Sequence, residues 1–284
     1  MHPSPTATPP GWSYAQNLTQ PQLGPPRRHP WEIPLLVLAI VIMAVVYLTA
    51  LVLIAVGTAP VWVLVVLAAP IIVYLGRGQG YAMPRVAGVK VSPTQFPEAH
   101  AMVVAAAQHF RMAKVPDAYV VLGNGQINAY SSGHGFRRYV VVYSDLFEIG
   151  GQARNPVALQ FIIGHEVGHI AAGHTSYWRQ LGMFASNFVP VVGPALSRAQ
   201  EYTADNHGFY VRPDGREGAI GVMSAGKYLL GLVDFHQMAD RAVTETGFFT
   251  WLANLLAGHP VNTWRAHALR DRSRAGRMFF RPRP

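Results

Sequence analysis

Two long uncharged runs near the N-terminus place the strongest constraint on how this chain of 284 residues can fold. They cover residues 33–56 and 59–75, and only Gly57 and Thr58 separate them. A helix needs about 17–25 apolar residues to cross the hydrocarbon core of a bilayer. The two runs therefore predict a transmembrane helical hairpin over residues 31–76.

Two other interpretations of these runs are weaker. A cleaved signal peptide has a shorter apolar core, and here a second run follows directly. A pair of buried core helices is the remaining alternative. Half of the residues are hydrophobic and only 13% are charged, which is low for a soluble protein and favours the membrane.

The positive charges around the hairpin predict its orientation. Arg27 and Arg28 precede the first run, Arg77, Arg85 and Lys90 follow the second, and the turn between the runs has none. Because positive residues that flank spans stay on the cytoplasmic side, we expect both ends of the hairpin and the following domain in the cytoplasm. The absence of cysteine is compatible with a reducing compartment.

Composition divides the rest of the chain. Residues 1–30 are rich in Pro, Thr, Ser and Gln and predict a disordered arm. A Gly-rich connector follows at 77–91, then a domain at 92–276 and a basic tail at 277–284. The net charge of +9 indicates attraction to lipid headgroups. Since no recognisable nucleic-acid module accompanies this charge, we expect a lipid bilayer and no nucleic acid as a partner.

A five-residue motif in the middle of the chain carries the chemistry. Residues 165–169 read His-Glu-Val-Gly-His, within an otherwise apolar segment that Asn155 can cap and Pro156 can begin. On a helix, His165 and His169 share one face and can bind one zinc ion, with Glu166 beside them. The motif predicts zinc-dependent hydrolysis of a peptide bond.

A catalytic zinc site needs a third protein ligand. The chain has no cysteine, so this ligand is His, Asp or Glu. Glu201 is the best candidate, and Asp205 lies four residues later on the same predicted helix face. From spacing alone, an amphipathic helix with a solvated acidic edge stays open as the alternative.

Further motifs flank these residues, at 128–130 (Asn-Ala-Tyr) and at 259–265 (His-Pro and a later Arg). Together with 165–174 and 201–205, they resemble the membrane zinc metallopeptidases of the HtpX-like and CAAX-prenyl-protease type. The resemblance implies one zinc ion per chain, a zincin-like fold and, for the HtpX-like branch, a bacterial cell membrane. Many HtpX-like enzymes carry a second membrane hairpin before the Glu ligand, but here residues 181–196 are too short and too rich in proline to span.

The resemblance also implies roles for individual residues. It makes His165, His169 and Glu201 the zinc ligands and Glu166 the catalytic base. It places His259 as a donor to the oxyanion, with a structural histidine before Pro260 as the alternative.

Other residues receive supporting roles. Asp205 either orients a ligand histidine or forms a salt bridge with Arg265. His174 is predicted to cap the end of the active helix after Gly173. Another prediction is a strand edge that pairs with the substrate backbone. This edge is formed by Asn128, Ala129 and Tyr130, and the alternative is an ordinary hairpin position.

The periodicity of residues 92–276 predicts an α+β domain, mostly helical with a small sheet. A helix begins at the capping-box sequence Ser92–Gln95 and runs to about Met112. The other predicted elements are strands at 118–122, 127–130 and 139–143, the active helix from 157 to 172, and helices at 197–211, 216–232 and 262–276.

These inferences predict a membrane-anchored zinc endopeptidase that acts on membrane or membrane-proximal proteins. The resemblance suggests protein quality control. Two alternatives are a non-catalytic scaffold with a structural zinc and a dedicated protease for one lipidated or membrane substrate. The oligomeric state is not encoded in these motifs.

Overall fold

The computed structural model describes residues 26–150 and 155–283. Most of the predicted disordered arm lies outside this part of the chain. Its last residues, 26–30, are described, and one of them, His29, is packed against the domain. His29 is buried, its backbone N–H donates to Thr203 Oγ1 over 2.9 Å, and its ring stacks on Tyr202.

The described chain is mostly helical with one small mixed sheet. In chain order the elements are α1 (Glu32–Ala55), α2 (Trp62–Ala87), β1 (Val89–Lys90), α3 (Pro97–His109), β2 (Asp117–Val121), β3 (Ala129–His134), β4 (Arg137–Tyr143), α4 (Ser144–Phe147), α5 (Pro156–Ala171), α6 (Tyr177–Met183), α7 (Val192–Val211), α8 (Arg216–Leu229), α9 (Phe235–Thr244), α10 (Phe248–Leu256) and α11 (Asn262–Arg270).

Helices α1 and α2 are both long and apolar enough to cross a membrane. Most of their apolar side chains are exposed, among them Leu48 at 64%, Leu64 at 66% and Ile71 at 63%. A core helix of a soluble protein buries such side chains, so their exposure favours contact with lipid over the alternative of buried core helices.

Helix α2 continues well past the second uncharged run, through most of the predicted connector. Two glycines in this extension, Gly78 and Gly80, face the sheet at short range. A Cβ atom at Gly78 would lie 3.3 Å from the His134 ring, and one at Gly80 would lie 3.4 Å from the Tyr139 hydroxyl. Packing against the sheet outweighs the low helix propensity of glycine, which is why composition alone suggested a connector.

The sheet has the order β1-β2-β4-β3, with β2 and β4 parallel and the other pairs antiparallel. Alternation along β4 gives it two covered faces. Val140 and Val142 point into the main core with α3 and α5, whereas Tyr139 and Val141 pack against Tyr81 of α2. Strand β3 lies at the edge of the sheet.

The capping-box prediction was wrong about where α3 begins. Ser92 and Gln95 exchange two backbone hydrogen bonds and close a turn, and the Gln95 side chain donates to Lys90 O instead of capping a helix. The helix starts at Pro97, whose fixed φ suits a first helical position.

Helices α5 and α7 cross closely, and glycines make the crossing possible. A Cβ atom at Gly168 would collide with the His207 side chain, and one at Gly208 would lie 2.8 Å from Phe161 O. A Cβ atom at Gly164 would lie 3.0 Å from Val211 Cβ. This crossing sets the distance between the motif helix and the acidic residues on α7.

Residues 181–196 form the end of α6, a short 3₁₀ turn at 185–188 and the start of α7. They pack against α1, where Gly182 lies close to Ile40. Helices α9 and α10 were not predicted, and α11 ends at Arg270, earlier than expected. The two short helices are amphipathic over only two or three turns, which gives a weak periodic signal.

Replacing Gly168 with Ala is expected to destabilise the fold by about 1–3 kcal/mol, because the new methyl group overpacks the crossing of α5 and α7. Thermal unfolding in detergent, followed by circular dichroism, measures the effect. Gly231→Ala is the matched control, since a Cβ atom there meets nothing within 4 Å. Equal midpoints for the two variants would contradict the proposed role of the crossing.

Candidate active site

Helix α5 presents two imidazoles toward one point. It starts as predicted, with the Asn155 side chain accepting a hydrogen bond from Ala158 N over 3.0 Å and Pro156 in the first position. His165 and His169 lie one turn apart, and their Nε2 atoms are 3.1 Å apart. Both rings are largely buried.

Helix α7 brings a carboxylate to the same point. Glu201 Oε2 lies 3.5 Å from His165 Nε2, and Glu201 Oε1 lies 3.4 Å from His169 Nε2. One ligand atom from each of the three residues falls within 4.8 Å of the others. Residues 36 positions apart in sequence thus form a group that could bind a metal ion.

The second ring nitrogen of His165 supports metal binding by this group. His165 Nδ1 lies 2.9 Å from Asp205 Oδ1, and a carboxylate can only accept, so this nitrogen donates. In the neutral ring, His165 Nε2 then carries a lone pair that faces His169 Nε2 and Glu201. Facing lone pairs beside a carboxylate repel one another, and either a proton or a metal cation between them removes the repulsion.

The distances also fit a tetrahedral ion. Ligand atoms at 2.0–2.1 Å from such an ion lie about 3.3 Å apart, close to the three separations observed here. Imidazole nitrogen and carboxylate oxygen are ligands that zinc accepts in catalytic sites. The donor set and its spacing therefore suit a divalent metal.

The charges of the site favour a cation. Burial lowers the pKa of His165, but its hydrogen bonds to Asp205 and Glu201 outweigh burial and raise that pKa to about 10, so without a metal the positive charge that these carboxylates attract is a proton on this ring. Burial raises the pKa of Glu201, but hydrogen bonds to His165, His169 and His259 bring it well below its usual range. Glu201 is therefore ionised at neutral pH, and so is Asp205, whose pKa is also lowered.

Asp205 combines the two roles that the sequence left as alternatives. It accepts from His165, and it forms a two-pronged ion pair with Arg265, at 2.5 Å from Nη2 and 3.0 Å from Nε. Burial raises the pKa of Asp205, but the charge of Arg265 and the hydrogen bonds from His165 and Arg265 together outweigh burial and lower it to about 2. Arg265 thus holds the carboxylate that orients His165.

Glu166 follows His165 on α5 and is 8% exposed. Within residues 26–150 and 155–283, its carboxylate forms no hydrogen bond or ion pair. A carboxylate at this depth without a protein partner is free to bind a water or a substrate group beside the metal-ligating face.

His259 lies on the open side of the site. Its Nδ1 is 3.0 Å from Glu201 Oε2, and its side chain is 74% exposed. The hydrogen bond to Glu201 raises the pKa of His259. Arg198 lies one turn before Glu201 on α7. Its side chain donates to Leu255 O and Ala257 O, each over 2.7 Å, and so holds the segment that leads to His259.

The predicted substrate strand is at the edge of the sheet. Asn128 is exposed just before β3, while Ala129 and Tyr130 begin the strand and pair with Val142 and Val141 of β4. Helix α5 packs against β3, so this edge lies beside the motif helix.

His174 does more than end the helix. Gly173, at φ +77°, reverses the chain, and the N–H groups of Gly173 and His174 bond to Ile170 O and His169 O. This turn folds the buried His174 ring back onto His169, with their Nδ1 atoms 2.7 Å apart.

Glu32, at the start of α1, was missed by the sequence analysis. It is fully buried, and its Oε1 lies 3.2 Å from His174 Nε2. The available signal was an acidic residue at the edge of an apolar run with Arg28 four positions earlier. That pattern predicts a local ion pair and gives no hint of a contact with residue 174.

Replacing Asp205 with Asn should destabilise the protein by about 3–5 kcal/mol, because it leaves the buried Arg265 charge without its partner. It should also weaken metal binding about 10–100-fold, since His165 loses its orienting acceptor. Unfolding in detergent and metal content after dialysis measure the two effects.

Asp240→Asn is the control for this variant. Asp240 pairs with Arg270 over 2.6 Å, but its side chain is 65% exposed, so its loss should cost at most about 1 kcal/mol. Indistinguishable stability and metal content in the two variants would argue against the role given to Asp205.

Comparison with known proteins bears on the same part of the chain. No curated protein and no solved structure matches it. Residues 93–189, which include α3, the sheet strands β2–β4 and the motif helix α5, match the family model of peptidase family M48. Over these residues, about a third of the chain, the protein is similar to the M48 metallopeptidases.

Proposed function

We propose that this protein is a membrane-anchored zinc endopeptidase of zincin-like fold, of the HtpX-like or CAAX-prenyl-protease type. The observation that carries the proposal is the convergence of His165, His169 and Glu201, beside a carboxylate, Glu166, that has no partner among the described residues. A structural zinc site usually has four protein ligands and no use for a free carboxylate. A non-catalytic scaffold therefore explains the site less well.

The three ligands would hold zinc through His165 Nε2, His169 Nε2 and the Glu201 carboxylate. Bound zinc supplies a Lewis acid and lowers the pKa of water toward neutrality. Glu166 accepts the proton of the attacking water and later donates it to the leaving amine, as a general base and then a general acid.

His259 is proposed to donate a hydrogen bond to the developing oxyanion. Its exposed ring lies next to Glu201, at the mouth of the site, and its raised pKa favours the protonated, donating form. Arg198 binds the carbonyl oxygens of Leu255 and Ala257, just before His259, and so limits where the His259 ring can lie.

The edge strand β3 is the proposed binding site for the substrate backbone. An unpaired edge offers N–H and C=O groups to an extended peptide. The N-terminal end of this edge carries Asn128, Ala129 and Tyr130. Helix α5 packs against β3. A strand added there would run past the motif helix.

The length of α2 supports a substrate close to the membrane. Its 26 residues extend about 39 Å, whereas the hydrocarbon core is about 30 Å thick. The end of the same helix packs against the sheet through Tyr81, so the catalytic domain is held next to the bilayer surface. We propose membrane and membrane-proximal proteins as substrates, in protein quality control.

Replacing Glu166 with Gln is expected to abolish cleavage of a casein-like substrate in detergent while zinc content stays at one ion per chain. The amide cannot accept the proton, but the three ligands are unchanged. Glu217→Gln, at an exposed position on α8, is the control and should cleave like wild type. Wild-type activity in Glu166→Gln would refute the assigned role.

The proposed orientation puts the catalytic domain in the cytoplasm of a bacterial cell, with the hairpin turn outside. Because the chain has no cysteine, single cysteines report topology without background. We expect Thr58→Cys to react with a membrane-impermeant maleimide on intact cells, and Thr246→Cys to react only after permeabilisation. The reverse pattern would place the catalytic domain outside.

A further inference from the structure

We propose that Glu32, at the start of the first membrane helix, positions the zinc ligand His169 by acting through His174. This inference rests on the proposed zinc site. It adds a positioning residue from α1 to a site whose other residues all come from the domain after the hairpin.

Glu32 is an unusual residue to bury at the start of an apolar helix. Its carboxylate is fully buried and accepts from Arg28 over 2.6 Å, from Arg179 over 2.7 Å and from Thr203 over 2.5 Å. The charge is thus neutralised by two guanidinium groups. A further partner, His174, donates to Glu32 through one ring nitrogen and faces His169 with the other, so this hydrogen bond links Glu32 to the proposed zinc site.

The direction of each hydrogen bond follows from the carboxylate. Because ionised Glu32 can only accept, His174 Nε2 donates to it over 3.2 Å. In a neutral imidazole the other nitrogen is then an acceptor, so His174 Nδ1 accepts from His169 Nδ1 over 2.7 Å. His169 Nε2 is left without a proton, and it faces Glu201 and His165.

The two ligand histidines are therefore supported in parallel ways. Asp205 accepts directly from His165, and Glu32 accepts from His169 through one intervening imidazole. In both cases a buried carboxylate fixes the tautomer that leaves Nε2 available to a metal.

The segment that carries His174 is held by both membrane helices. Arg179, on α6, binds Glu32 of α1. Arg77 of α2 donates to Thr175 O over 2.7 Å and to the Gln180 side chain. The hairpin therefore fixes the segment that presents His174 to the metal site.

A double-mutant cycle on zinc affinity tests the proposal with the full-length protein in detergent. Glu32→Leu removes the acceptor, and His174→Asn keeps an acceptor oxygen near the Nδ1 position while losing the contact with Glu32. Competition with a chelator gives the dissociation constant for zinc. Glu32→Leu alone should weaken zinc binding about 10–100-fold, and it should cause no further loss in the His174→Asn background.

Leu35→Ala is the matched control. Leu35 lies one turn later on α1 and packs in the cluster with Ala195, Leu196 and Ala199 of α7, so the variant loosens the helix without touching the hydrogen bonds. It should retain zinc affinity within about threefold. Equal losses in Leu35→Ala and Glu32→Leu, or additive losses in the double variant, would overturn the proposal.

A second measurement needs only the wild-type protein and remains decisive if a variant fails to fold. Side-chain ¹⁵N spectra of histidine-labelled protein report which ring nitrogen carries the proton. We expect the proton of His174 on Nε2, and a proton on Nδ1 would overturn the proposal. Failure of the wild type to bind zinc would instead remove the proposed function.

Discussion

The two Nε2 atoms of His165 and His169, 3.1 Å apart and facing a buried carboxylate, are the constraint around which the rest of the domain is arranged. To bind a metal, both nitrogens must lack protons, and each ring can then donate outward through its Nδ1 to a neighbouring acceptor. Three helices meet at this point and hold the rings and the carboxylate in this geometry. Helix α5 supplies the rings, α7 supplies Glu201 and the acceptor for His165, and α11 supplies the guanidinium that holds that acceptor.

Glycine is what lets these elements come close enough. Gly168 lies inside the five-residue motif and Gly208 lies on the facing helix, and neither position has room for a side chain. The cost is low intrinsic helix propensity, which the buried packing of α5 against α7 offsets. Between α2 and the sheet the approach is less close, since a Cβ atom at Gly78 would lie 3.3 Å from the His134 ring.

Sequence reasoning predicted the local features of this structure well and the distant contacts poorly. The motif helix, its Asn155 cap and the two apolar helices follow from short-range pattern, and the structure has them. The beginning of α3 was missed because a reciprocal backbone turn at Ser92 and Gln95 competes with the capping box. Glu32 was missed because its partner His174 lies 142 positions away, and no periodicity reports such a pairing.

The position of Glu32 has a consequence for the newly made chain. It is the first residue of α1, and its partners Thr203 and Arg179 lie on segments that are synthesised much later. By our inference, a chain whose hairpin has not yet inserted and docked has an imperfectly organised zinc ligand. The metal site would then be completed only after the hairpin has inserted into the membrane and docked against the domain. A chain that is not yet anchored would therefore stay inactive toward other proteins.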